Sequence, residues 1–231
     1  MNHGLKYLAG LTAAALILLA TLPTTGHSQV VNTTAKKRIS IGFGLFSDIY
    51  MNTPAGMKTR TINQGVSVVG TYNVPFGKSN FGFGIGLGLT VHNLYWNYRY
   101  QADSLSFQFV KIEDTLRYKR SKVTAPYLEI PMEFRWKSKS KFTVAAGFKV
   151  GMLLQGQAKW VGDDYLFHSG NTLRTSFKRV KNLEKFAYGP TLRFGYKWIN
   201  VNAYYSLSKV FQSGTGVDLY PVSVGIVLMP F

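Results

Sequence analysis

FGFGIGLGLTV, residues 81–91, sets an apolar side chain at every odd position and a glycine at every even one until Thr90. A repeat of two is the repeat of a β-strand, whose successive side chains leave opposite faces. No charge interrupts the apolar face, and almost nothing stands on the other. Lipid on one side and a narrow, filled interior on the other account for both faces. Eleven residues also match the ~9–11 that a tilted strand needs to cross a bilayer.

The same alternation recurs along the chain. It runs through residues 39–45, 66–74, 81–91, 128–136, 142–152, 192–198, 201–207 and 222–228, which predicts eight strands. No segment of comparable length shows a 3.6-residue repeat. The connections alternate as well. Short turns are expected at 77–80, 137–140 and 199–200, and long loops at 50–61, 95–122, 155–184 and 208–217. Short turns at one end and long loops at the other are the pattern of an outer-membrane barrel. The predicted fold is therefore all-β: an eight-stranded antiparallel transmembrane β-barrel, an up-and-down meander over 37–231 with short periplasmic turns and long extracellular loops. A soluble sandwich or lipocalin-like barrel would turn the apolar faces inward. The loop alternation, the aromatic strand ends and the terminal Phe231 argue against it.

The amino terminus predicts export. Lys6 precedes an apolar run from Leu8 to Leu22, followed by Pro23 and the Gly26-His27-Ser28 sequence. That order of basic, apolar and small residues reads as a signal peptide over 1–28, cleaved after Ser28. Residues 29–36 then form a short N-terminal periplasmic segment. The chain has no cysteine, which excludes disulfides, thiolate metal sites and a cysteine nucleophile. Its formal net charge of +17 calls for an anionic partner. In an exported chain, lipid phosphates and lipopolysaccharide fit that role, and nucleic acid does not.

On strand four the alternation carries Tyr127-Leu128-Glu129-Ile130-Pro131. With the glycine-rich third strand, the fifth-strand stretch from Ala146 to Gly151 and the terminal Phe231, this sequence resembles the small outer-membrane β-barrels of Bacteroidota, the PorT-like family. The resemblance covers residues 29–231 and rests most specifically on 127–131. It implies an eight-stranded barrel in the outer membrane. The family's namesake takes part in type IX protein secretion, so the resemblance also implies an accessory or docking role there. A terminal aromatic such as Phe231 resembles the signal read by the barrel-insertion machinery, although its parity puts it on the face opposite Val224 and Ile226.

By parity Glu129, Glu133, Arg135, Lys149 and Arg193 point into the lumen, where an eight-stranded barrel is filled by side chains. An ion-pair network plugging the interior is expected; a proton or ligand site between Glu129 and Glu133 is the alternative. Pro131 cannot donate to a ladder and predicts a bulge or bend. Trp136 and Trp198, beside short turns, suit an aromatic girdle, and Tyr95, Trp96, Tyr98 and Tyr100 are expected to rise above the membrane as a hairpin. His92 and His168 have no ligand-spaced neighbour, so no metal and no cofactor is expected. His168-Ser169 beside Asp163 and Asp164 superficially suggests lipid-modifying chemistry but lacks a positioned third group. The basic residues Arg117, Lys119, Arg120, Lys122, Arg174, Lys178, Arg179, Lys181 and Lys185 are expected in extracellular loops. Three functional readings follow for a monomeric barrel. It docks envelope or secretion proteins without catalysis, it binds or passes a small solute, or it modifies lipid A.

Overall fold

The two-residue repeat builds strands from Ile39 to Leu228. The computed structural model describes residues 38–102, 107–166, 169–214 and 217–229. The signal-peptide reading of 1–28, the segment 29–36, His168 and Phe231 lie outside the described residues. Eight strands form the wall: β1 (Ile39–Met51), β2 (Asn63–Pro75), β3 (Phe81–Tyr95), β6 (Tyr118–Lys137), β7 (Phe142–Leu153), β10 (Phe186–Tyr196), β11 (Ile199–Tyr205) and β12 (Tyr220–Leu228). Each pairs antiparallel with the next, and the last returns to the first through a ladder from Phe43↔Leu228 to Met51↔Tyr220. Closure pairs the backbone groups that lipid cannot satisfy.

The apolar face lies outside. Leu45 is 70% exposed and Phe134 63%, a distribution that only a lipid surround makes favourable. Phe81, Ile85, Leu87 and Leu89 of the opening stretch are exposed too, while Gly82, Gly84, Gly86 and Gly88 turn inward. Gly84 shows why: a Cβ there would lie 3.1 Å from Arg135 Nε and 3.2 Å from Asn73 Oδ1. The glycine face makes room for a lumen side chain from the neighbouring strand. The short turns reverse through residues with positive φ, namely Gly77, Lys141 and Lys197.

Four further strands stand in the long connections. β4 (Tyr98–Ala102) and β5 (Phe107–Lys111) pair as a hairpin, and β8 (Gln157–Asp163) and β9 (Thr172–Lys178) pair as another. β6 is 20 residues long. Its lower part pairs with β3 and β7, and its upper part exchanges β7 for β8, from Thr124↔Gln157 to Tyr118↔Gly162. The wall is therefore taller along β6, β8 and β9 than elsewhere.

Several expectations need correction. The spans 95–122 and 155–184, expected as long loops, are largely hairpin and strand. Lys119, Arg120 and Lys122 sit on β6, and Arg174 and Lys178 on β9, not in loops. Arg117 precedes β6; Arg179, Lys181 and Lys185 follow β9. Pro131 makes no bulge. Its pairing with Lys149 is in register, and the β3–β6 ladder merely lapses between Ile85↔Met132 and Gly88↔Glu129 before resuming unshifted. The irregularity in β6 lies between Tyr118 and Arg120.

Candidate functional site

Inside the ring, parity converges charged side chains from three strands. From β6, Glu133 accepts from Arg193 Nη2 of β10 at 2.6 Å and from Arg135 of its own strand. Arg135 also reaches β2, donating to Thr71 Oγ1 at 2.9 Å and to Asn73 Oδ1. Four residues higher on the same face of β6, Glu129 accepts from Lys149 Nζ of β7 at 2.8 Å and from Thr90 Oγ1 of β3 at 2.7 Å. Lys149 Nζ also stands 3.8 Å from the centre of the Tyr204 ring. All five charged residues read from parity thus meet in one interior, in two clusters. Tyr127 and Pro131 of the 127–131 stretch share this face, while Leu128 and Ile130 turn to lipid.

A third buried cluster escaped the sequence reading. Asp48 of β1 is fully buried; its Oδ2 meets His92 Nδ1 of β3 at 2.8 Å, and its Oδ1 accepts from Ser223 Oγ of β12 at 2.5 Å. Asn63 Nδ2 donates to the Asp48 carbonyl at 3.0 Å. The missed signal was parity itself. Apolar alternation lapses at Ser47, but the strand continues, so Asp48 falls on the inward face and His92 does the same at the top of β3. The grouping holds serine, histidine and aspartate, yet it is no nucleophile–base pair. Ser223 bonds the carboxylate, and His92 otherwise faces the rings of Phe46 at 5.1 Å and Tyr127 at 5.9 Å. In the β8–β9 connection Ser169 Oγ donates to Asp164 Oδ2 at 2.7 Å, and Asp163 Oδ2 accepts from the Arg117 backbone at 2.8 Å. Among the described residues no cluster of His, Cys, Asp or Glu is placed to hold a metal ion.

Little space remains. A cavity of about 90 Å³ lies among Thr71, Thr90, Glu129, Glu133, Lys149 and Arg193. A second, of about 30 Å³, lies above it beside His92, Tyr127 and Ser206. Higher still the interior turns apolar. Trp96, Tyr100, Val123, Val180, Leu183, Phe211 and Leu219 are buried together. Trp96 stacks on Phe211, centroids 5.3 Å apart and planes 9° from parallel, and Phe109 packs edge-on against both. The long connections fold back to make this apolar cap over the mouth. Trp96 and Tyr100, expected in a hairpin above the membrane, are its centre. Trp136 and Trp198 are exposed at the short-turn end, at girdle positions.

The cations of the upper wall lie on its outer surface. Burial, then the charges of Lys159 and Arg120, pull the Lys122 ammonium down to about 8.

Comparison with known proteins places these features in context. The family model described as "Outer membrane protein beta-barrel domain" matches residues 24–212. A search among curated proteins finds no match. Among solved structures the chain is similar to Ail, the attachment invasion locus protein of Yersinia pestis. The match to Ail in complex with the heparin analogue sucrose octasulfate has 15% identity and a TM-score of 0.41, covering 83% of this chain and 96% of Ail. A second Ail structure matches at 14% identity and a TM-score of 0.40, covering 83% and 96%. A mutant of the Rh. blastica porin matches at 9% identity and a TM-score of 0.21, covering 83% and 98%. With most of its length matched by the family model and its ring closed and lipid-faced, the chain belongs to the outer membrane protein β-barrel domain family and is a protein of the outer membrane.

Proposed function

We propose that the protein is a non-enzymatic barrel that docks other envelope proteins through its extracellular end, in the manner of a PorT-like accessory of type IX secretion. One observation carries this reading. The cap built from Trp96, Tyr100, Leu183 and Phe211 closes the mouth and ties both hairpins to the wall. Ordered strands above a membrane, joined to a plugged lumen, offer a shaped surface to a partner and no path to a solute. The type IX assignment rests on the resemblance at 127–131.

The test is a mild-detergent pull-down from native outer membranes, with the tag at Gly214 in the β11–β12 connection. Large envelope proteins recovered at fixed stoichiometry support docking. A single heat-modifiable band keeps the barrel and removes the docking role. The cavity between Glu129 and Glu133 favours a second reading, a small-solute barrel, which conductance and solute-binding measurements would then reveal. An altered lipid A mass in a deletion strain would instead support an enzyme.

A further inference from the structure

The outer face of the tall wall carries a row of cations, and the carboxylate on that face, Asp163 at the upper end of β8, accepts from the Arg117 backbone and ion-pairs with none of them. On β6 and β8, Lys122 and Lys159 stand directly opposite each other. One step up the same face are Arg120 and Arg174, which flank Val161 on either side. One step down is Lys178, opposite Gln157. On the other flank Lys122 pairs with Tyr95 of β3, and the Arg60 guanidinium lies 4.6 Å over that ring. Among the described residues none of these six cations has a carboxylate within ion-pair distance; Lys122 donates only to Asn93 Oδ1, at 2.9 Å. Like charges directly opposite on a sheet destabilise it unless something neutralises them.

The other side of this sheet is already occupied. Ser121 Oγ donates to the Tyr98 carbonyl, Tyr100 packs on Phe177, and Arg99 lies over Tyr165, so the β4–β5 hairpin covers the inward face. Whatever neutralises the row comes from outside the barrel. Directly below, the same face becomes lipid-facing: Leu128 and Ile130 on β6, Leu89 and Leu87 on β3. Lys122 stands four residues above Pro126, roughly 13 Å along the strand and less in height because barrel strands tilt.

We propose that this face binds the phosphate groups of an outer-leaflet glycolipid of the lipopolysaccharide class, whose acyl chains lie on the apolar band beneath. An amphiphile matches both halves of the surface in their observed order. A soluble acidic protein would match only the upper half. Lysine stems can rest on an apolar wall while the ammonium reaches out, which suits Lys122, Lys159 and Lys178 to a headgroup at this height. Tyr95 and Arg60 close the edge of the site on β3.

The test uses the full-length protein in neutral detergent, with lipopolysaccharide, dephosphorylated lipopolysaccharide and inorganic phosphate as probes, read by native mass spectrometry and by the midpoint of the heat-dependent gel shift. Bound lipopolysaccharide is expected with the parent. Binding at least tenfold weaker is expected for Lys122→Gln/Lys159→Gln and for the dephosphorylated lipid, with Lys137→Gln at a periplasmic turn unchanged. If the double variant does not fold, Arg174→Gln/Lys178→Gln on the exposed β9 gives the same reading. Parent-like binding by the folded variants overturns the site. Equal binding of inorganic phosphate overturns the lipid as its ligand. The experiment needs no envelope partner, so it stands or falls apart from the docking role.

Discussion

Glu133 answers two guanidinium groups at once, which makes it the most consequential carboxylate of the lumen. Its replacement strands Arg135 and Arg193 in the interior. Breaking a buried pair on one side costs about 3–5 kcal/mol. Glu133→Gln is therefore expected to lower unfolding free energy by that amount in micelles, followed by urea titration of the gel shift. Glu129→Gln should cost less, because the Lys149 ammonium keeps the face of the Tyr204 ring. Outside the membrane, Lys122 makes the opposite kind of statement. Its ammonium, lowered to about 8 from the ordinary 10.5, sheds its proton in the folded chain before the unfolded chain does. Between those two pH values stability rises with pH, and below about 8 the penalty of the buried charge is felt in full. Lys122→Gln should lose that rise, so the parent gains on the variant as pH climbs through the window. Comparative urea titrations at several pH values check it. At this scale the sequence showed which charges share the lumen, since parity alone decides that. It did not show partners. Arg193 finds Glu133 across 60 positions of chain because β10 and β6 flank β7 on either side. Asp48 and His92 were missed because apolar alternation ends before the strands do.

At the scale of elements, the sequence pointed to a hairpin at the Tyr95–Tyr100 run and concealed its extent and the β8–β9 hairpin. Transmembrane strands announce themselves by a face that lipid requires to be apolar. β4, β5, β8 and β9 stand above the apolar band, so their repeat carries no such contrast, and Pro or Gly breaks are too few to bound them. The sequence placed the aromatics of the Tyr95–Tyr100 run above the membrane but did not say which way they face, because Tyr and Trp suit both a wet surface and a packed one. Only the fold-back distinguishes them, and it buries Trp96 to 3% exposure against Phe211. Truncating a buried tryptophan costs about 3–5 kcal/mol. Trp96→Ala is expected to spend that loss locally, since the β4–β5 hairpin is held to the wall mainly through the cap. Limited proteolysis on intact cells should cut that hairpin in the variant and spare it in the parent. Both proteins should still show the heat-dependent gel shift of a closed barrel.

For the whole molecule, eight apolar-faced strands, their order and their antiparallel closure were legible, because each rests on alternation and on the short and long connections between strands. The interior was legible only as a set of residues. Its sealing depends on charge pairs and on a cap that draws residues from connections far apart in the chain. A cavity of about 90 Å³ holds a few waters, and the apolar cap stands above it. Planar-bilayer recordings of the parent are expected to show no discrete conductance steps, and steps at neutral pH would contradict the plugged lumen.

The seam between β12 and β1 carries a last consequence. Its ladder, from Phe43↔Leu228 to Met51↔Tyr220, is longer than that of the covalently turned β10–β11 hairpin, which runs from Thr191↔Tyr204 to Tyr196↔Ile199. Nothing in the ring of hydrogen bonds distinguishes the first strand from any other. Both ends of the wall emerge at the same rim, so a short linker could join residue 229 to residue 38 and the chain could be opened at Gly214 instead. A permuted barrel that still resists unfolding in detergent at room temperature would show that the wall has an order of neighbours but no beginning.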